Sequence, residues 1–360
     1  MGEPDGDRDA LAERLFSASI AAFDLLHVYL GVQLGLYRAL AGSGPVTVAE
    51  LAARAGIDER YAREWLEQQA VASILTTEGG ASGQERRYEL PAGHAEVLCE
   101  EENPAFVAPI ALGLVGVANA LPEVLEAFRH GGGVPYPAYG ADVRRCIAGL
   151  NRPMFANLLA SEWFPNVPGL VERLEGDPPA RVADVGCGTG WSSIAIARGY
   201  PKVDVLGVDL DEASVAEASA NATAAGVANR VRFEVRDAAD PQLAGGFDLV
   251  CAFETIHDMC DPVRALAAMR SLRAEGGTVL VADERVADEF TTEPDDGERF
   301  QWGWSAVHCL PCAMTDPPAA GTGTIMRTPI LRDYARRAGY AEVEVLPVEN
   351  DFWRFYKLVG

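Results

Sequence analysis

Lysine is nearly missing from this chain: Lys202 and Lys357 are the only two among 360 residues. Even with arginine, 30 basic residues face 53 acids, a formal net charge of −23. Such a surface repels phosphate backbones and anionic lipid headgroups over about a Debye length, so neither nucleic acid nor a membrane is expected as a partner. No run of eighteen apolar residues occurs, so no membrane span is expected. The start, Met1-Gly-Glu-Pro-Asp-Gly-Asp7, has acids where a secretory signal carries lysine or arginine, and a cytoplasmic location is expected. Cysteine is present but unpatterned. Positions 99, 146, 187, 251, 260, 309 and 312 make an odd number without framework spacing, and no structural disulfide is expected.

What the chain does have is apolar residues, 49% of the whole, enough to fill two cores over this length. The expected domains are 1–165 and 166–360. In the first, apolar positions recur at helical spacing (Leu11, Leu15, Phe16, Ile20, Phe23, Leu26, Leu30, Leu34) and predict a long helix over 8–40, broken near Gly31 or Gly35. Thr47 and Asp58 are N-cap residues around a turn at Gly56, a helix-turn-helix reading. Residues 73–77 and 86–90, either side of a polar glycine-rich loop, complete a winged helix. Its residues 45–95 hold eight acids and five arginines, the wrong sign for a phosphate-binding face, so dimerisation and a substrate lid are the expected uses. Helices over 104–130 and 140–163 are parted by Gly131-Gly-Gly-Val-Pro-Tyr-Pro137.

From about 180, short β-branched runs alternate with alanine-rich helices. Residues 181–185, 203–208, 230–235, 247–252 and 277–282 read as buried strands of a doubly wound, mostly parallel sheet. The first strand runs into Gly186-Cys-Gly188-Thr-Gly190 and a helix from Trp191, which brings backbone close to a ligand at a helix N-terminus. Trp191 occupies the place of the third glycine in a dinucleotide fingerprint, so NAD is not favoured. The second strand ends at Asp209, suited to ribose hydroxyls, and the third at Asp237-Ala238, suited to an adenine amine or, more plainly, to capping a helix.

Asp184-Val-Gly-Cys-Gly-Thr-Gly190, Asp209, Asp237 and Phe247-Asp-Leu-Val-Cys251 resemble, in order and spacing, the class I S-adenosylmethionine-dependent methyltransferases over residues 180–360. The resemblance implies a Rossmann-like α/β domain with a seven-stranded, mostly parallel sheet. A closing helix from Thr328 to Gly339 and an antiparallel hairpin, 341–348 with 352–359, would end it. The cofactor would be S-adenosylmethionine, with S-adenosylhomocysteine as product, held by Asp184, Gly186, Gly188, Gly190, Asp209, Leu210, Asp237, Ala238 and Phe253.

A finer resemblance is to small-molecule O-methyltransferases of bacteria and plants that put a dimerising winged helix before this domain. It implies a homodimer through the N-terminal domain and a hydroxyl acceptor of secondary metabolism, with nitrogen or carbon methylation as the alternative. A cofactor-sensing winged-helix regulator is the rival from another class. Glu254-Thr-Ile-His257-Asp258 stands where these enzymes carry their general base, a task that suits imidazole because its pKa lies near working pH. His257, with Asp258 and with Asp283 as its orienting acid, is the implied catalytic set. The chain departs from the pattern at Gly323-Thr-Ile-Met326, where a second acid is usual.

Met154 and Phe155 of the bridging helix, and Trp302, Trp304 and His308 of the 286–326 segment, are the expected acceptor contacts, although ordinary core packing is an equal use for such side chains. His257-x-x-Cys260 and Cys309-x-x-Cys312 with His308 have zinc-like spacing, but the pairs lie far apart in sequence and no metal is expected.

Overall fold

The computed structural model describes residues 4–80 and 85–360. The acidic start at Met1 to Glu3 and residues 81–84 of the glycine-rich loop, both read above, lie outside the described residues. Contacts divide the chain into two compact units: Met1–Val115 with Arg145–Pro153, and Gly116–Arg144 with Met154–Gly360.

In the first unit the expected long helix is parted into α1 (Pro4–Gln33) and α2 (Leu36–Leu40) by Gly35, which adopts a left-handed φ of 67°. Gly31 stays helical, and a side chain there would run into Tyr37 and Trp65. A capping box opens α3 (Val48–Ala55): the Glu50 N–H donates to Thr47 Oγ1 at 3.3 Å, and the Thr47 N–H donates to the Glu50 carboxylate at 2.7 Å. Asp58 caps α4 (Glu59–Val71), and β1 (Thr76–Glu78) pairs antiparallel with β2 (Arg87–Glu89) as the wing before α5 (Ala92–Cys99). Leu36, Tyr37, Leu51, Trp65, Leu66 and Tyr88 form the core, and each such burial contributes about 1.5–3 kcal/mol.

Helix α6 (Ile110–His130) begins six residues later than the sequence suggests. Pro104 and Pro109 keep the residues before them out of the helical region. Helix α7 (Gly140–Leu158) continues through a wide turn, Leu159–Trp163. By length and composition alone α6 and the segment Asp7–Gln33 of α1 are apolar enough to cross a membrane, with mean hydropathies of 1.5 and 1.6. Only 11% of that α1 window is buried, and Leu15, Phe16 and Phe23 are each more than half exposed.

The second unit continues with α8 (Leu170–Glu175), β3 (Arg181–Val185), α9 (Trp191–Gly199), β4 (Asp204–Asp209), α10 (Glu212–Ala224), β5 (Val231–Val235) and β6 (Phe247–Phe253). It ends with α11 (Pro262–Leu272), β7 (Arg273–Glu284), α12 (Asp296–Trp304), α13 (Leu310–Ala313), α14 (Thr328–Arg337), β8 (Glu342–Val345) and β9 (Trp353–Val359). The strands form one seven-stranded sheet in the order β5-β4-β3-β6-β7-β9-β8, parallel except for β9, which is antiparallel to both neighbours.

Alternation along the strands fills two cores. Val182, Leu249, Cys251, Leu280 and Ala282 pack on one face, and Ala183, Val185, Val250, Val279 and Val281 on the other. Phe155, Leu159, Trp163 and Phe164, expected before a boundary at 165, belong to the first of these cores and to the second unit. All parallel strands point their carboxyl ends to one edge, and the order reverses between β3 and β6, where an open α/β sheet binds ligands.

Candidate active site

At that edge β3 passes into the loop Gly186–Gly190, which α9 follows. Each glycine has its own reason. A β-carbon on Gly186 would collide with the Thr255 hydroxyl, so the loop is pressed against the turn after β6. Gly188 is left-handed at φ 50° and a β-carbon there would meet nothing within 4 Å, which leaves open space over the loop. Asp184, expected among the cofactor ligands, points inward instead. Its Oδ2 accepts from the Ser192 and Ser193 hydroxyls, both at 2.6 Å, and burial raises its pKa despite these bonds. It ties the strand end to the first turn of α9.

Asp209, at the end of β4, accepts the Gly188 N–H on Oδ2 at 2.8 Å and the Asp211 N–H on Oδ1 at 2.9 Å. Burial raises its pKa, partly offset by these donors. Leu210 beside it is 72% exposed, an apolar side chain left in the open next to a fixed carboxylate. Asp237 is spoken for in part: Oδ1 accepts from the Ala239 N–H at 2.8 Å, and Oδ2 pairs with Arg264 of α11. Ala238 packs against the core beneath this turn. Phe253 is a core residue, packed edge-on to Phe155 at 5.4 Å and near Trp353. Met154 packs against the same cluster, so Met154 and Phe155 are not presented as open acceptor contacts within this unit.

The turn after β6 holds the chemistry. Glu254 has φ 52°, a conformation that a non-glycine residue adopts only at a cost of about 1–3 kcal/mol and that collects at functional sites. Three residues on, His257 is 1% exposed. Its Nδ1 lies 2.7 Å from Asp283 Oδ1, at the end of β7, and its Nε2 lies 3.2 Å from Asp258 Oδ1. Burial lowers the imidazole pKa, but the Asp283 and Asp258 carboxylates outweigh it and hold it well above 6.5. Both ring nitrogens thus face a carboxylate. The Asp258 contact is off line for a hydrogen bond, and Oδ1 is buried with no hydrogen-bond partner.

Glu284 is buried beside this dyad, its pKa raised by burial and then by Glu254. Met326, at the place of the second acid, is 1% exposed in the core and takes no part.

The 286–326 segment contributes unevenly. Trp302, 39% exposed, packs edge-on to Phe290, whereas Trp304 packs edge-on to His308 at 5.6 Å. His308 is buried and kept neutral by desolvation. Two tyrosines missed in the sequence complete its surroundings: Tyr139, 4.5 Å between ring centres, and Tyr136, 5.8 Å. Burial, then the Asp209, Asp211 and Asp258 carboxylates, pushes the Tyr136 phenol up. Pro135-Tyr-Pro-Ala-Tyr139 read only as a helix breaker, although aromatics inside a glycine-proline segment were the available signal. Cys309, read in the sequence only for its spacing to Cys312, is buried, and burial pushes its thiol up to about 12.

This sheet order, with the glycine loop bound to an acid at the end of the next strand, defines a class I methyltransferase fold. Residues 177–314 match the family described as methyltransferase domain, and residues 21–100 the Rv2258c-like winged HTH domain; the chain carries both. It is 30% identical over 169 residues to trans-aconitate 2-methyltransferase of Deinococcus radiodurans, covering 44% of this chain and 63% of that one. The chain spans less than two thirds of the length of the curated relatives it matches. Over nearly its whole length it has the fold of the mitomycin 7-O-methyltransferase MmcR, with a TM-score of 0.70, 18% identity, and 99% of each chain covered. It also has the fold of human N-acetylserotonin methyltransferase in complex with SAM, with a TM-score of 0.67, 17% identity, and 97% and 98% covered.

Proposed function

We propose that this protein moves the methyl group of S-adenosylmethionine to a hydroxyl of a small molecule in secondary metabolism. One observation carries the reading: the Gly186–Gly190 loop, fixed to Asp209 through the Gly188 N–H, lies at the same sheet edge as the buried His257–Asp283 dyad. The fit to the cofactor rests on the open space over Gly188 and on the exposed Leu210. The loop backbone at Gly186, Gly188 and Gly190 takes the methionine part and Asp209 the ribose hydroxyls. Leu210 lies against the adenine, and Asp237 with Ala238 meets its amine. Asp184 acts by holding the loop, and Phe253 by supporting the wall. When bound, the cofactor supplies an electrophilic sulfonium methyl and leaves as S-adenosylhomocysteine.

His257 and Asp258 face the acceptor, with Trp304 and His308 beside them. Because Nδ1 is committed to Asp283, a hydroxyl proton has Nε2 and Asp258 Oδ1 to go to. Alignment and exclusion of water supply the rest of the rate.

The N-terminal part, expected to end near residue 165, serves dimerisation. Support comes from the exposed apolar face of α1 in a chain otherwise dense with acids. A cytoplasmic setting is supported by the cysteine pattern, an odd number without framework spacing. Calorimetric titration with S-adenosylhomocysteine tests the central reading: micromolar binding is expected, and its absence overturns the proposal. Mass analysis of turnover products then identifies the methylated atom.

A further inference from the structure

The stretch that leads into α7 is tied down at both ends. At one end a β-carbon on Gly133 would collide with backbone at Pro311, Met314 and Thr315. There too the Val134 N–H donates to the Pro311 carbonyl at 3.0 Å, and the Tyr139 hydroxyl to the Val307 carbonyl at 2.9 Å. At the other end Arg144 of α7 pairs with Glu217 of α10 at 2.9 Å and lies 3.7 Å from Asp211. Asp211 caps α10 and donates its own N–H to Asp209. Residues 133–144 therefore form a strap from the segment that carries His308 to the turn that carries Asp209.

Tyr136 stands within that strap. Its ring packs edge-on to His308 at 5.8 Å between centres, as that of Tyr139 does at 4.5 Å. The two hydroxyls differ. That of Tyr139 is committed to Val307, whereas that of Tyr136, on a half-buried side chain, has no hydrogen-bond partner among the described residues. Burial, then the carboxylates of Asp209, Asp211 and Asp258, keeps the Tyr136 phenol protonated at neutral pH. A neutral phenol without a partner is a donor open to a ligand.

From this placement we infer that Tyr136 is a second ribose ligand, donating its phenol hydrogen to a ribose hydroxyl oxygen of the bound cofactor. A ribose hydroxyl has one hydrogen to give and lone pairs to receive with, so an acceptor-only carboxylate, Asp209, and a donor phenol are complementary partners for it. The inference rests on the S-adenosylmethionine reading, which makes Asp209 the ribose acid. Sequence gave no sign of it, because a tyrosine in a glycine-proline stretch has no spacing relation to the glycine loop.

The test is calorimetric titration of the full chain, Tyr136→Phe and Tyr136→Ala with S-adenosylhomocysteine and with its 2′-deoxy and 3′-deoxy analogues. Phenylalanine keeps a ring against His308 and leaves no protein group unpaired, so that variant should fold. It should bind S-adenosylhomocysteine about two- to tenfold more weakly, the range of one neutral hydrogen bond. On one of the two deoxy analogues it should match the unaltered chain, because the oxygen that Tyr136 serves is gone. If the unaltered chain does not bind S-adenosylhomocysteine, the cofactor reading and this inference fall together. If it binds and Tyr136→Phe binds equally well, this inference alone is overturned, and a loss confined to Tyr136→Ala assigns the ring to packing on His308. A loss in Tyr136→Phe that is the same on all three ligands overturns it as well.

Discussion

The N–H of Gly188 donates to Asp209 Oδ2 at 2.8 Å, so the glycine loop and the end of β4 are one unit before any ligand arrives. Asp209 therefore has two tasks, to shape the loop and to receive hydroxyls on its remaining lone pairs. A hydrogen bond to a charged group contributes about 1.5–3 kcal/mol. Asp209→Ala is thus expected to weaken S-adenosylhomocysteine binding by about tenfold or more and to lower the melting temperature, since the Gly188 and Asp211 N–H groups lose their acceptor. Calorimetry of the two proteins checks this, and equal affinities refute the ribose-binding role.

The loop glycines separate folding from binding. Gly186→Ala drives a methyl group into the Thr255 side chain, so it should lower the melting temperature strongly. Gly188→Ala meets open space and pays only for its left-handed φ of 50°, about 1–2 kcal/mol. It should fold and yet bind cofactor poorly, because the new methyl occupies the space over the loop. If Gly188→Ala bound S-adenosylhomocysteine as well as the unaltered chain, the cradle would have to lie elsewhere.

His257 is expected to matter for turnover and not for cofactor. His257→Ala removes the group facing the acceptor and should cut turnover by about 10²–10⁴. It also leaves Asp283 and Asp258 as uncompensated carboxylates, so the melting temperature should fall. Kinetics measured well below that melting point, together with unchanged S-adenosylhomocysteine affinity, make the check. Unchanged turnover removes His257 from the mechanism.

Much of this was legible in the sequence because it is local. Gly186-Cys-Gly188 after a β-branched run, and Asp209 after the next, follow from strand, turn and helix in succession. The capping box at Thr47 and Glu50 is equally short-range. What escaped reading depends on the third dimension. Asp184 looks like a ligand residue until α9 folds back and brings Ser192 and Ser193 to it. Phe155 looks like an acceptor contact and Phe253 like a cofactor contact until Trp163 and Trp353 pack around them in the core. Strand β7 starts at Arg273, four residues before its apolar run, because Arg273 pairs with Phe247 across a register shift. The Asp258–Cys309 approach joins two turns that no periodicity connects.

Glu284 should make stability depend on pH in one direction. Burial and Glu254 raise its folded pKa above the unfolded glutamate value of about 4.3, so the folded protein binds the proton more tightly. Below the unfolded value both states are protonated and nothing is lost. As pH rises from there through the folded value, the folded state pays an increasing cost. Glu284→Gln stays neutral, so its melting temperature relative to the unaltered chain should rise with pH from about 4 to 8. Thermal melts across that range decide it, and a difference that is flat or falls with pH contradicts the buried acid.

The exposed face of α1 makes the last prediction. Leu11, Leu15, Phe16, Ile20, Phe23, Leu26 and Leu30 are all between 39% and 68% exposed, and a second copy covering them would bury several such side chains at about 1.5–3 kcal/mol each. Placing two carboxylates there, Phe16→Asp with Phe23→Asp, should turn a dimer into a monomer, since neither charge can find a partner on a symmetric apolar face. Light scattering coupled to size exclusion reads the mass, and retained S-adenosylhomocysteine binding shows that the second unit is intact. An unaltered chain that runs as a monomer, or a double variant that stays dimeric, would remove α1 from the interface.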